Sequence, residues 1–501
     1  MHSKVMKKLV VITSDLYVRN YIQSNALHLI QDEHCYFIAS SQVSLKQELE
    51  ALPNFLGFFE YGNDLHQKYM YLSNVLMLRH QNRSKTFKFR FRRRAWQVWD
   101  QLAEAEVLKS KTYRALPRVL PKALRLGWAR LNQIKKMKKN DKKTLKMWVL
   151  GRPVLAELFV WNFQRNIKPN PMLKEMLEAI RPDLVIFPST AIDAAGNDLI
   201  RLQRPLNYKT LFLIDNWDNL SSKSVFMRLP DYIGVWGTQG KEHAINIHGF
   251  SPNQICEMGT PRFEPYYKTV ETYLNTGERP SSPYAFPYIL YVGCCIPFDE
   301  MTSLKMLDQA LIQYNQNRAE PVYLVYRPHP WRIKRACPDR FEQADFRYVQ
   351  LDEQLKEQYY TPQATGLFQP SLDYYPRLLM NALSVVGPLT TMLIEAAIFR
   401  KKILAFAYDD GVHMTSPSHA LENYLHFEGI TEIPHWYFAK ELQQLQDTFL
   451  AFISNDQEQV DWEAQKGSLG YYLHHDDRAY AERLKDFVSQ IQEGETWAMR
   501  V

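Results

Sequence analysis

Three short stretches of this chain put reactive side chains where a buried strand is about to end. The first is GPLTTMLIEA (387–396), between the β-branched run 384–386 and the apolar run 403–406. Gly387-Pro388 is turn chemistry, and Thr390 can cap a helix running from about 391 to 399. The first-turn N–H groups of such a helix lack internal partners and bind phosphate well. Thr391 and Glu395 are four apart and share a face. A hydroxyl beside the amides and a carboxylate one turn deeper suit a nucleotide, with phosphates at the helix mouth and ribose hydroxyls on Glu395. The plain alternative is an ordinary capped helix.

The second is RPHPWR (327–332), which follows the apolar run 321–326 directly. Its prolines hold Arg327 and His329 in an extended turn. Arg327 offers a planar fork for phosphate, and His329 a donor or proton carrier. The third is DNWDNLSSK (215–223), two carboxylates, two amides, two hydroxyls and a lysine around Trp217. Asp215 or Asp218 can act as general base for a hydroxyl acceptor, and the amides and hydroxyls can orient a polyol. Asp15, Asp193 and His248 are rival bases. No Walker-type loop, HExxH, GxSxG or DxD motif is present, so a metal-dependent nucleotide-sugar site has no support and no cofactor is expected.

The elements that must position these groups alternate as in a parallel α/β sheet. Strands are expected at 9–14, 35–39 and 55–61, then at 184–187, 210–214, 232–236 and 255–259. A Gly/Pro/Ser-rich linker is read over 271–287, ending a first domain of residues 1–270. A second domain, 288–475, opens with YILYV and contains the first two motifs; an amphipathic helix follows within 476–501. Ligands in such sheets bind beyond the carboxyl ends of the strands. Two wound domains with polar strand ends facing one cleft make the layout of a two-domain transferase.

The alternation breaks over 66–150, read as a basic helical insertion. Residues 83–146 carry 21 Lys/Arg against four acids, although the whole 501-residue chain is only +7. FKFRFRRRAWQVW (87–99) and KALRLGWARLNQIKKMKK (122–139) interleave aromatics and aliphatics with cations. This composition suits an anionic membrane surface, and less well nucleic acid or a merely solvated insertion. Five scattered cysteines without a CxxC argue for a reducing compartment. No run reaches the ~20 apolar residues of a membrane span.

RPHP after a strand, followed by G-P-x-T-T-x-x-x-E-A before a strand, resembles the nucleotide-donor half of GT-B glycosyltransferases. It is similar in particular to the group around CDP-glycerol glycerophosphotransferases and capsule transferases, and to non-hydrolysing UDP-sugar 2-epimerases. WDN-x-S-S-K, PDYIGVWGTQGKEHA and GTPRFE resemble a bacterial surface-carbohydrate biosynthesis family of the same fold. The likeness covers about residues 180–410. It implies phosphate contacts on Arg327, His329, Thr390 and Thr391, a ribose contact on Glu395, and an acceptor side lined by Trp217, Asn219 and Lys223. It also implies a terminal helix that packs back on the first domain. One departure is the pair Thr390-Thr391, often Ser-Ser or Ser-Thr in that family.

The expectation is therefore a GT-B glycosyltransferase, cytoplasmic and peripheral to the inner face of the membrane. It would carry a sugar from a nucleotide-activated donor to a surface polysaccharide or lipid-linked glycan. CDP-polyol phosphate transfer, 2-epimerisation of a nucleotide sugar, and a non-catalytic protein working through residues 83–146 are the alternatives.

Overall fold

The computed structural model describes residues 5–117, 119–191, 193–223, 225–296, 298–329, 341, 344–360, 370–413, 415–455 and 461–494; of residues 93–100 and 357–360 only the helical backbone is described. Two all-parallel sheets form two Rossmann-like domains, the architecture of the GT-B class. The first sheet runs β3-β2-β1-β4-β5-β6-β7, built from β1 (Lys8–Ile12), β2 (Cys35–Ser40), β3 (Phe55–Phe59), β4 (Leu184–Ser189), β5 (Lys209–Ile214), β6 (Tyr232–Val235) and β7 (Ile255–Glu257). The second runs β10-β9-β8-β11-β12-β13, from β8 (Tyr288–Val292), β9 (Tyr323–Arg327), β10 (Val349–Leu351), β11 (Val385–Pro388), β12 (Ile403–Phe406) and β13 (Trp436–Ala439). The central strands are apolar runs because helices cover both faces, so every side chain of β1, β8 and β12 is buried. Strand order reverses between β1 and β4 and between β8 and β11, where crevices open at the carboxyl ends.

Two boundaries differ from the sequence reading, and one helix is more deeply packed. The helical insertion extends from Asn63–Arg79 through Pro153–Asn166, beyond residue 150. The helix Glu264–Thr276 occupies the start of the expected linker. It forms because Tyr266 and Val270, one turn apart, pack into the core of the second domain with Leu393 and Ile394; the glycine- and proline-rich stretch begins only at Gly277. The helix Lys85–Gln101 is no free amphipathic surface at its start. Phe87 and Phe91 are buried, Ser84 Oγ donates to Ser221 O at 2.9 Å, and Leu425 N donates to Thr86 Oγ1 at 2.8 Å. It therefore braces the 215–223 loop and touches both domains.

The chain returns at its end. His474 N donates to Trp236 O at 2.7 Å, and Tyr480, Leu484, Phe487, Val488 and Ile491 of the helix Tyr480–Glu493 join the core beside Val10 and Ile12. Within the second sheet, Gly387 lies at φ +148°, and a Cβ there would collide with the Val292 carbonyl oxygen of β8. Backbone stands on that side and cannot yield as a side chain would. Gly387→Ala is expected to cost about 1–3 kcal/mol through overpacking, read as a lower melting temperature. An unchanged melt would show that β8 and β11 can part there.

Candidate functional site

The first domain presents two carboxylates at neighbouring strand ends. Asp215 follows β5 and is 3% exposed. Asn20 Nδ2 donates to its Oδ1 at 3.0 Å. Burial lifts its pKa above the usual carboxylate range; the charges of Arg262 and Arg19 and the Asn20 bond pull it back, and the charge on Asp193 adds to the rise. Asp193 follows β4 and accepts from Thr190 N at 2.9 Å, Thr190 Oγ1 at 3.1 Å and Tyr17 Oη at 3.2 Å. Burial raises it as well. Two coupled carboxylates pushed toward the neutral form are suited to proton transfer.

Two residues after Asp215, Trp217 crosses to the second domain. Its Nε1 donates to Thr391 Oγ1 at 3.1 Å, and its ring meets His426, Phe427 and Tyr472 edge-on. The third motif is thus brought to the mouth of the helix Thr391–Ile398. Thr390 caps that helix with extended backbone (φ −152°) and makes no side-chain cap bond.

Several of the expected site residues are engaged by other protein groups. Asp218 is one of them. Lys223 Nζ lies 3.2 Å from it and Ser222 Oγ donates to it at 2.9 Å. Burial would raise its pKa, but Lys223, His426 and Ser222 outweigh that and hold it below the usual range. Asn219 is buried, and with its amide oriented to suit its neighbours it donates to Asp218 Oδ1 at 3.0 Å and accepts from Asn216 N at 3.2 Å. Lys223 is committed to Asp218 but remains 41% exposed at the side chain, and the loop after β8 approaches it through Cys295.

Arg327 is no open phosphate fork. Its guanidinium is ion-paired with Asp352, donates to Tyr375 Oη at 3.0 Å and lies over the Tyr375 ring, 4.7 Å from its centroid. The register pairs Tyr326 with Leu351, so Arg327 and Asp352 leave adjacent strands side by side. His329 is half-buried just beyond β9. It stands against the loop after β8, where a Cβ on Gly293 would lie 2.9 Å from His329 N. The following Pro330, Trp331 and Arg332 lie outside the described residues. Glu395 is 6% exposed; Tyr266 Oη donates to Oε2 at 2.8 Å and Arg262 Nη2 to Oε1 at 3.4 Å. In this conformation the carboxylate expected to hold a ribose clasps the segment that joins the domains.

Among the rival bases, Asp15 accepts from Ser44 N at 2.8 Å and Leu45 N at 3.1 Å, which ties down a loop. His248 Nε2 donates to Leu220 O at 2.7 Å, and burial pushes its pKa down to about 4. Both are thus bonded to backbone groups. Asp193 stays in the site.

Arg262, Arg19 and Asn20 escaped the sequence reading. Arg262 was visible as the cation of GTPRFE at the end of β7. Arg19 and Asn20 were not, because Val18–Gln23 is a π-helical turn. Such a turn shifts the helical phase and carries polar side chains inward that a regular helix would expose. Arg19 lies 5.8 Å from the Tyr375 ring, an attraction between the domains. Among the described residues no cluster of three or more His, Cys, Asp or Glu could hold a metal ion.

No family model matches the chain, and no curated protein matches it. Distant likenesses to solved structures span nearly its full length. One is the UDP-GlcNAc 2-epimerase of Methanocaldococcus jannaschii in complex with UDP-GlcNAc and UDP, at 9% identity over 96% of this chain and 99% of that one, with a TM-score of 0.45. A second is MnaA of S. aureus with UDP, at 9% identity over 98% and 97%, with a TM-score of 0.47. A third is the calicheamicin glycosyltransferase CalG4, at 10% identity over 98% of this chain and 99% of that one, with a TM-score of 0.44. At this identity the likeness is one of overall arrangement.

Proposed function

We propose that the chain is a glycosyltransferase that moves a sugar from a nucleotide-activated donor to a surface polysaccharide or lipid-linked glycan. The observation that carries the reading is the Trp217–Thr391 contact, which sets the Asp215 strand end against the helix mouth of the other domain. The donor diphosphate occupies the first turn of the helix Thr391–Ile398, where backbone N–H groups and the helix dipole favour negative charge. Arg262, already electrostatically coupled to Asp215 and hydrogen-bonded to Glu395, turns to the leaving diphosphate. That frees Glu395 for the ribose hydroxyls. In a direct displacement the acceptor hydroxyl oxygen bonds to the anomeric carbon, the bond from that carbon to the diphosphate oxygen breaks, and the hydroxyl proton passes to Asp215. Catalysis rests on positioning and on charge stabilisation at the leaving group, with no metal required.

Thermal melting against CMP, CDP, UDP, GDP and ADP tests the donor site. A nucleotide at 100 times its Kd is expected to add about 2.7 kcal/mol of stability. Glu395→Ala is expected to lose that response, and the responding nucleotide names the donor base. Failure of every nucleotide to shift the melt would end the reading.

The carboxylate pair also favours one second reading, 2-epimerisation, in which one of Asp193 and Asp215 takes the C2 proton as the anomeric bond to the diphosphate oxygen breaks to leave a C1–C2 double bond, and the other returns a proton to the opposite face of C2 as the diphosphate oxygen bonds to C1 again. Deuterium uptake from heavy water into a nucleotide sugar, without acceptor, would select it over transfer.

A further inference from the structure

The helical insertion carries two apolar stripes that none of the described residues covers. On the helix Lys122–Lys136, Leu124, Trp128 and Leu131 are 62%, 64% and 58% exposed. On the helix Pro153–Asn166, Val154, Leu158 and Trp161 are 71%, 56% and 58% exposed. Both sets have the spacing i, i+4, i+7, so each forms one continuous face. The opposite face of the first helix is packed, with Leu126 7% and Ala129 0% exposed. These stripes are therefore outer faces of folded helices and not unfilled core.

Their surroundings point to the partner. Residues 122–146 contain ten Lys/Arg and a single acid, Asp141. Lys135, Lys136, Lys138 and Lys139 follow the first stripe and are all exposed. Beside the second, the Arg165 guanidinium lies 5.4 Å from the Trp161 ring centroid. Apolar faces that each carry a tryptophan, with cations beside them, fit an anionic bilayer, with indoles and leucines at the acyl boundary and cations on headgroups. No helix of the described residues is long and apolar enough to cross a membrane, so contact at the surface is the mode this shape permits.

We propose that these two stripes dock the protein on an anionic lipid surface. Occupancy of the stripes requires neither a nucleotide nor turnover.

Co-sedimentation of the full chain with vesicles of phosphatidylcholine, with and without phosphatidylglycerol, tests this. The wild type is expected to partition onto the anionic vesicles only, and to be released by raised salt. Leu124→Gln combined with Trp128→Gln and Leu131→Gln, or Leu158→Gln with Trp161→Gln, is expected to weaken partitioning about tenfold or more at an unchanged melting temperature. Lys135→Glu with Lys138→Glu tests the charge separately and is expected to weaken binding at low salt only.

Absence of wild-type partitioning, or equal partitioning onto neutral vesicles, overturns the assignment. So does a wild type that runs as a dimer in solution, is made monomeric by the stripe variants and ignores vesicles; that result gives the stripes to a second copy of the chain. Because the assay uses no nucleotide, its failure leaves the donor site untouched.

Discussion

Replacing Asp215 with asparagine is expected to lower the turnover of sugar transfer by about 10²–10⁴-fold, the range a positioned general base contributes, while the protein stays folded. The side chains are nearly the same size, and the Asn20 bond can persist to the amide oxygen. The pH profile carries the sharper signature. A base must be ionised, and burial together with the Asp193 charge raises Asp215 above the usual carboxylate range. The acid limb of the wild-type profile is therefore expected to be displaced upward from that range. Asp193→Asn removes a like charge and is expected to move the limb back down.

Stability should run the other way. A carboxyl whose pKa is raised on folding favours the folded state fully below its unfolded pKa of about 3.9, and that contribution is lost as pH rises through the folded value. At neutral pH the charged Asp215 is a cost, so Asp215→Asn should melt at the same temperature as the wild type or higher, with the gap closing on acidification. Full activity in Asp215→Asn would remove it as the base and shift the role to Asp193.

Much of this architecture was legible because parallel strands buried on both faces read as short apolar runs, as in LVVI before Thr13 and YILYV at 288–292. The motifs were legible as polar residues at the ends of those runs, and the third did meet the helix mouth through Trp217. What each polar group would touch was not legible. Arg327 looked available because its partner, Asp352, stands 25 residues away beyond an irregular stretch and becomes its neighbour only through the β9–β10 register. Glu395 looked available because Arg262 and Tyr266 lie 133 and 129 residues away. Spacing along one helix locates a carboxylate on a face; it says nothing of what another domain brings to that face. The basic segment shows the same limit. Its run at 87–99 begins with Phe87 and Phe91 in the core, while the exposed stripes lie on later helices, one within the segment at Lys122–Lys136 and one beyond it at Pro153–Asn166.

Arg327 is held by Asp352 and Tyr375, and the second large effect follows. Arg327 and Asp352 are 2% and 0% exposed at their side chains. Asp352 also accepts from Tyr374 Oη at 2.5 Å and Gln354 N at 3.0 Å. Arg327→Met deletes the cation and leaves Asp352 buried without it. Breaking a buried pair in this way costs about 3–5 kcal/mol, and a domain of this size loses roughly 2–4 °C of melting temperature per kcal/mol.

Adding Asp352→Asn removes the stranded charge and keeps an acceptor for Tyr374 and Gln354, so the double variant should recover most of the loss. Nucleotide affinity measured on that double variant, well below its melting temperature, should stay within a few-fold of the wild type. A melt unmoved by Arg327→Met, together with a large loss of nucleotide affinity, would return Arg327 to the donor phosphates. It would also mean that the clasp of Arg327, Asp352 and Tyr375 opens when the donor binds.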